Sequence, residues 1–279
     1  MKKISKLSFF YRPDNKKAPQ WEVNIKDWLI KNYPSVKIVK DNSEVMLVLG
    51  GDGTILEAAK KYQKNNSLIF GMNLGDVGFL ASVREPKFFL SALDKLFKGE
   101  FEIEERMMVQ GTIWRNQKSI FQVSTLNEIA IQSPLGMVEI EVMIENHPIQ
   151  FIRGTGVLVA TPTGSTAFNL SAHGPIVTPD IKAFILTELL DHNIPTPSIV
   201  IKKTKKIIFK IKSFRKRGLL TLAKTQEPVD VLLISDGEIA FPLQEKDEII
   251  VEASPDLVRF AQIEPNYFFK SLQEKFGFK

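Results

Sequence analysis

The sequence has no cysteine among its 279 residues. Disulfides, thiolate metal sites and a cysteine nucleophile are therefore excluded. Three histidines, His147, His173 and His192, are too few and too scattered to suggest a zinc site. No stretch approaches the ~20 apolar residues that a membrane-spanning helix needs. Near the N-terminus the apolar patch Leu7–Tyr11 is interrupted by Ser8 and ended by Arg12 and Pro13, too short for the core of a signal peptide. It reads as a first β-strand. Together these absences predict a cytoplasmic protein without a membrane partner.

What is present is ordinary for a globular chain: 44% hydrophobic and 25% charged residues. The length suits two modest domains. A formal charge of +5 is mild and fits anionic ligands such as nucleotides as well as it fits nucleic acid.

The first hundred residues alternate strand and helix patterns. Glu44–Leu49 is a near-continuous apolar run ending at Gly50-Gly51, as in a strand buried on both faces of a parallel sheet. A helix is expected over Thr54–Lys64, a second buried strand over Leu68–Met72, and a loop over Asn73–Gly78, including Val77. Pro86 opens another helix, with Phe89, Leu93, Leu96 and Phe97 at helical spacing and Gly99 closing it. This is an open α/β domain over residues 1–101.

From about Phe101 the period changes to two. Val138–Ile144 alternates, Glu145-Asn146-His147 and Arg115-Asn116-Gln117-Lys118 read as turns, and strand patterns recur at Ser198–Ile201, Lys206–Lys212 and Glu248–Glu252. Helices are expected at Ser165–His173 and Ile181–Asp191. Residues 102–259 thus form an antiparallel β domain, and the amphipathic tail, about 260–279, is expected to pack back on the first domain. The segment Lys202–Arg217 is strongly basic, but Ile207, Phe209 and Ile211 alternate with Ile208, Lys210 and Lys212. That pattern predicts a strand with lysines outward, guarding an edge, rather than a nucleic-acid patch.

Three motifs carry chemistry. Gly50-Gly51-Asp52-Gly53-Thr54 stands between a buried strand and a helix. Glycines admit close approach of a ligand, and a helix N-terminus offers N–H groups to phosphate. A carboxylate there suits a proton acceptor for a hydroxyl nucleophile, or a metal holder; the alternative is a helix cap. The stretch from Arg153 to Phe168 runs from an apolar strand into a loop of glycines and small hydroxyl residues, which suits ribose, phosphate or amide groups. Its alternative is a turn capped by Ser165 or Thr166. Asn127-Glu128 places an amide and an acid in the apolar segment Thr125–Ile131. One of them could be buried against a ligand, but spacing alone favours a sheet-edge pair facing water.

Taken together, GGDGT at 50–54, Asn127-Glu128 and Arg153–Pro175 resemble the NAD kinase family in order and spacing, over about residues 44–260. GGDGT alone is also found in phosphofructokinases and diacylglycerol-type lipid kinases. The resemblance implies a Rossmann-like N-terminal domain and a β-sandwich C-terminal domain, α/β followed by all-β, assembled as a homodimer or homotetramer. It implies ATP and NAD as substrates, a divalent ion (Mg²⁺ foremost), and NAD held between the domains. It implies that Asp52 accepts the proton of the adenosine 2′-hydroxyl, with Gly53 beside it and Phe79 as an aromatic contact near the adenine. Asn127, Glu128, Arg153, Thr155, Thr163, Thr166, Ala167, Phe168, Asn169, Leu170, Ser171 and Glu238 would line the NAD site.

The sequence departs from the family pattern where Thr155 replaces the usual Asp, Phe168 the usual Tyr and His173 a frequent Gly. Asp236-Gly237-Glu238 resembles the family's Asp-Gly-Gln. The departures imply weaker NAD binding or an altered choice between NAD and NADH. They also motivate a second reading, a non-catalytic NAD(P)-binding sensor, beside the lipid kinase. An NAD-dependent oxidoreductase would carry G-x-G-x-x-G after its first strand, which is absent.

Overall fold

A computed structural model describes residues 4–62, 66–76, 78–192, 196–221 and 228–277, and the chain divides into two units, residues 1–106 with 256–279, and residues 107–255.

In the first unit, β1 (Lys6–Phe10), α1 (Ala18–Asn32), β2 (Lys37–Ile38), β3 (Val45–Leu49), α2 (Asp52–Tyr62), β4 (Leu68–Met72) and α3 (Phe89–Lys98) follow in turn. The strands are parallel in the order β2-β1-β3-β4, with Leu7 opposite Val45 and Val48 opposite Gly71. All five residues of β3 and all five of β4 are buried, which is why both read as unbroken apolar runs. The helix expected to end at Lys64 is described as far as Tyr62; Lys64 and the loop residue Val77 lie outside the described residues. Pro86 opens a short 3₁₀ turn, Pro86–Phe88, which leads into α3, and Gly99 closes α3 at φ 79°. That left-handed angle is the one glycine adopts without cost.

The second unit contains β5 (Glu102–Arg115), whose first residues belong to the first unit, then β6 (Lys118–Thr125), β7 (Glu128–Gln132), β8 (Val138–Ile144), β9 (His147–Ala160) and the short α4 (Phe168–Ser171). There follow β10 (Ala183–Asp191), β11 (Ile199–Lys202), β12 (Ile207–Phe214), β13 (Leu220–Thr221), β14 (Pro228–Val229), β15 (Leu232–Ser235), β16 (Ile239–Pro242) and β17 (Glu248–Gln262). The last residues of β17 and α5 (Tyr267–Phe276) return to the first unit, where Phe260 pairs in parallel with Ile69. The unit is a β-sandwich. Strand β9 is its hub: its first half pairs with β8, and its second half pairs with β7 on one side and β10 on the other. A core of alternating apolar side chains, including Ile129, Ile140, Val157, Phe184 and Phe209, fills it.

Two expectations are corrected. Ile181–Asp191 is not a helix; β10 occupies it, hydrogen-bonded to β9 and β11 on its two sides. Its first five residues are all buried, so the segment shows no alternation, and its Ala, Leu and Glu content favours helix until the neighbours decide otherwise. Strand β12 does alternate, with Ile207, Phe209 and Ile211 buried, but it is no edge: β8 and β17 flank it. Its lysines pair across strands, Lys212 with Glu141 at 2.7 Å and Lys210 with Glu248 at 3.4 Å.

Candidate active site

The GGDGT loop follows β3 at the C-terminal end of a parallel strand, where open α/β sheets bind ligands. Gly50 is required there, because a Cβ would come within 2.5 Å of the Thr54 hydroxyl. Gly53 is exposed, with nothing within 4 Å of where its Cβ would stand, so the loop is open at that point. The Gly51 carbonyl accepts from the N–H groups of Thr54 and Ile55 and starts α2.

Asp52 does not cap its own helix. One carboxylate oxygen accepts the N–H of Phe79 at 2.7 Å and the other the N–H of Leu80 at 3.2 Å. The approach is so close that a Cβ on Gly78 would lie 2.1 Å from Asp52 Oδ1. Burial pushes the carboxyl pKa up, and the two N–H bonds and the charges of Lys275 and Arg106 pull it back. Arg106 is 3% exposed and pairs with Glu104 at 3.0 Å. Phe79 is itself 4% exposed, its ring packed against Phe268 and Phe276 with the Lys275 ammonium 5.2 Å from its centroid. What Phe79 offers the loop in this conformation is its backbone N–H.

In the second unit, Asn127 and Glu128 are both buried, 8% and 5% exposed. The edge pair facing water is therefore corrected: β7 lies between β15 and β9. Asp236 holds this turn of chain in place, accepting the N–H groups of Leu126 at 3.3 Å, Asn127 at 2.9 Å and Glu128 at 3.3 Å. Asp236 and Gly237 have φ of 47° and 69° in the turn joining β15 to β16. The Thr161 hydroxyl donates to the Leu126 carbonyl at 2.5 Å, and the Thr161 N–H to the Asn127 carbonyl at 2.8 Å. Gly164 passes so close that a Cβ would meet that carbonyl at 2.2 Å.

Glu128 is the unusual group. Burial, then the nearby Asp236 carboxylate, push its pKa to about 8, against which the Phe168 N–H bond works. Its Oε2 is buried without a hydrogen-bond partner, as are the hydroxyls of Thr125 and Ser235 on adjoining strands. Buried oxygens left open in this way mark a place for a polar ligand or ordered water.

The loop after β9 is built by its own hydroxyls. Ser165 Oγ donates to the Pro162 carbonyl at 2.6 Å and accepts the Val177 N–H at 3.1 Å, and neither Ser165 nor Thr166 caps a helix. Thr163 is buried, and its carbonyl accepts the Thr166 hydroxyl at 3.3 Å. Asn169 is fully buried: its amide donates to the Pro175 carbonyl and accepts from Thr187 at 2.8 Å. It shapes the loop, and Gly174 leaves the room it needs. Thr166, Ala167, Phe168 and Leu170 are half-buried and Ser171 exposed; the Phe168 ring packs on a core with Ala160 and Ile185. Glu238 is exposed in the β15–β16 turn.

Arg153 and Thr155 are not gathered with these. Glu128 is in register with Ala160, five residues further along β9 than Thr155, about 16 Å at the usual strand rise. Arg153 pairs with Glu139 at 3.5 Å, and the Thr155 hydroxyl donates to the Leu189 carbonyl at 2.8 Å. Gly78, Arg106, Lys275 and the grip of Asp236 belong to the site only through the fold. Of these, Asp236 alone stands in a local motif, Asp236-Gly237-Glu238.

An α/β unit with an acidic glycine loop at its strand ends, joined to a β-sandwich with a small-hydroxyl loop, defines a nucleotide-dependent phosphotransferase. Residues 3–101 match the ATP-NAD kinase N-terminal domain and residues 126–263 the ATP-NAD kinase C-terminal domain. The chain belongs to the NAD kinase family. It is 34% identical over 252 residues to the NAD kinase of Lachnoclostridium phytofermentans, covering 89% of this chain and 85% of that one. It is 32% identical to the NAD kinase of a Thermoanaerobacter species, covering 85% and 80%. Among solved structures it is similar to yeast NADH kinase complexed with NADH, with TM-score 0.85, 20% identity and coverage of 100% and 89%. It is also similar to an Archaeoglobus fulgidus NAD kinase in complex with ATP, with TM-score 0.74, 25% identity and coverage of 97% and 98%. No helix among the described residues is long and apolar enough to cross a membrane.

Proposed function

We propose that Asp52 takes the proton from the adenosine ribose 2′-hydroxyl of NAD as the γ-phosphoryl group of ATP is transferred to that oxygen. The reaction is the family's: this kinase phosphorylates NAD with ATP and yields NADP. The observation that supports Asp52 is its clamped carboxylate, fixed by two N–H groups beside an open glycine loop and made more basic by burial. Phosphoryl transfer otherwise depends on positioning and charge neutralisation.

Backbone N–H groups and one carboxylate already held by two donors form a set that fits a divalent ion carried by the ATP phosphates. Among the described residues no three acidic or histidine side chains converge on a metal. Mg²⁺, bound chiefly through the phosphates, would neutralise their charge. Asn127, Glu128 and the loop from Thr163 to Ser171 are assigned to NAD. The distance of Arg153 and Thr155 from Glu128 along β9 supports a homo-oligomer in which they serve elsewhere; light scattering tests it. A cytoplasmic location completes the reading.

The experiment is NADP formation from NAD, ATP and Mg²⁺ by purified protein, with Asp52→Asn beside it. Loss of about a thousandfold in turnover is expected, with NAD binding retained. A variant with full activity removes Asp52 as the base. Wild-type protein that binds NAD without consuming ATP is a sensor.

A further inference from the structure

The GGDGT loop brings N–H groups and a carboxylate to the phosphates but no cation of its own. Arg106, the buried cation near Asp52, is matched by Glu104. The other is Lys275, in the last turn of α5, exposed and held over the ring of the residue whose N–H grips Asp52.

Helix α5 is anchored firmly enough to aim that side chain. Arg84 donates to the Tyr267 carbonyl at 3.0 Å and to Ser271 Oγ at 2.9 Å, and pairs with Glu274. Tyr267 is buried, with its hydroxyl donating to the Gly78 carbonyl at 3.4 Å. Phe268 and Phe276 lie against Phe79, with ring centroids 5.7 and 6.3 Å away. The helix therefore holds residues 78 and 79, and the N–H of residue 79 holds Asp52.

We propose that Lys275 is the cation of the phosphoryl-transfer site, its ammonium reaching from the face of Phe79 to the phosphates of ATP at the GGDGT loop. The inference rests on ATP binding at that loop. Charge developing on the transferred phosphoryl oxygens calls for a fixed positive group, and a lysine on an anchored helix supplies one without reorganisation. A blander role is available, since a lysine in a last turn also favours the helix dipole. The two roles differ in what they move.

The test compares wild type, Lys275→Met and Lys275→Arg. One arm measures binding of a non-hydrolysable ATP analogue with Mg²⁺ by calorimetry; the other measures steady-state kinetics with NAD. Lys275→Met is expected to weaken the analogue about tenfold or more, the usual cost of one charge-assisted contact. It should lower kcat/KM for ATP at least as much and leave KM for NAD unchanged, with Lys275→Arg restoring most of both. A Lys275→Met protein that binds the analogue like wild type and turns over normally overturns the proposal, and a lower melting temperature alone would assign Lys275 to the dipole. If wild type binds the analogue but never phosphorylates NAD, the proposed reaction fails, while the binding arm still decides Lys275.

Discussion

Two acids, one in each unit, the first half-buried and the second buried, have opposite surroundings. Asp52 has both oxygens occupied by backbone donors. Glu128 has a buried oxygen with no partner, and its neighbour Asp236 has taken up the N–H groups of residues 126–128. The first is held in one orientation, as the proposed proton acceptor requires. The second is held near neutrality, with a pKa of about 8, and at pH 7 can donate as well as accept a hydrogen bond. Under the proposed function, the difference separates a group that acts from a group that recognises: the first has its partners in the protein, and the second keeps an oxygen for NAD.

The sharpest way to break this contrast is Gly78→Ala. Its Cβ would enter the space of Asp52 Oδ1, 2.1 Å away, and the carboxylate must turn. Turnover should fall about a hundredfold, as for a reacting group displaced by about an ångström, while NAD binding persists in equilibrium titration. Unchanged turnover would mean that the clamp is dispensable.

Next in size is the pH dependence at Glu128. Folded, it keeps its proton to about pH 8; a free glutamate loses it near 4.5. Between those values the native state binds a proton that the unfolded chain has released, so stability falls as pH rises through that window and levels above it. Glu128→Gln should flatten this slope and be more stable than wild type at pH 9, read by urea unfolding at several pH values. Parallel pH curves for the two proteins would show that Glu128 ionises as an exposed acid does.

The smallest effect is expected at His173, which has φ 61°. His173→Gly removes a side chain from a left-handed residue, partly offset by backbone entropy, and should add about 0.5 kcal/mol. A loss of stability would mean that the imidazole makes contacts worth more than the strain.

Local signals made much of this fold legible. The buried strands before GGDGT and before residue 73 could be read because their residues face apolar neighbours on both sides. The turn at Asn116-Gln117 could be read because both residues adopt positive φ, 50° and 61°. Strand β10 could not, because burial on both faces erases the alternation that distinguishes a strand from a helix. The site divides in the same way. GGDGT is contiguous, but the grip on Asp52 comes from 27 and 28 residues away and the grip of Asp236 from about 110. Such pairings exist only after folding. Asn127-Glu128 looked like a wet edge because a short apolar segment does not reveal which strands will flank it.

The return of the chain to its first unit has a consequence for biosynthesis. Phe260 pairs with Ile69, and Arg84 binds Tyr267, Ser271 and Glu274. A ribosome finishes the whole of residues 107–255 before it makes the strand and helix that complete residues 1–106. The first unit keeps one edge of its sheet unfilled until the end of β17 has been translated. The Asp52 clamp leans on α5 through Gly78 and Phe79, so its support is complete only once both units have been made.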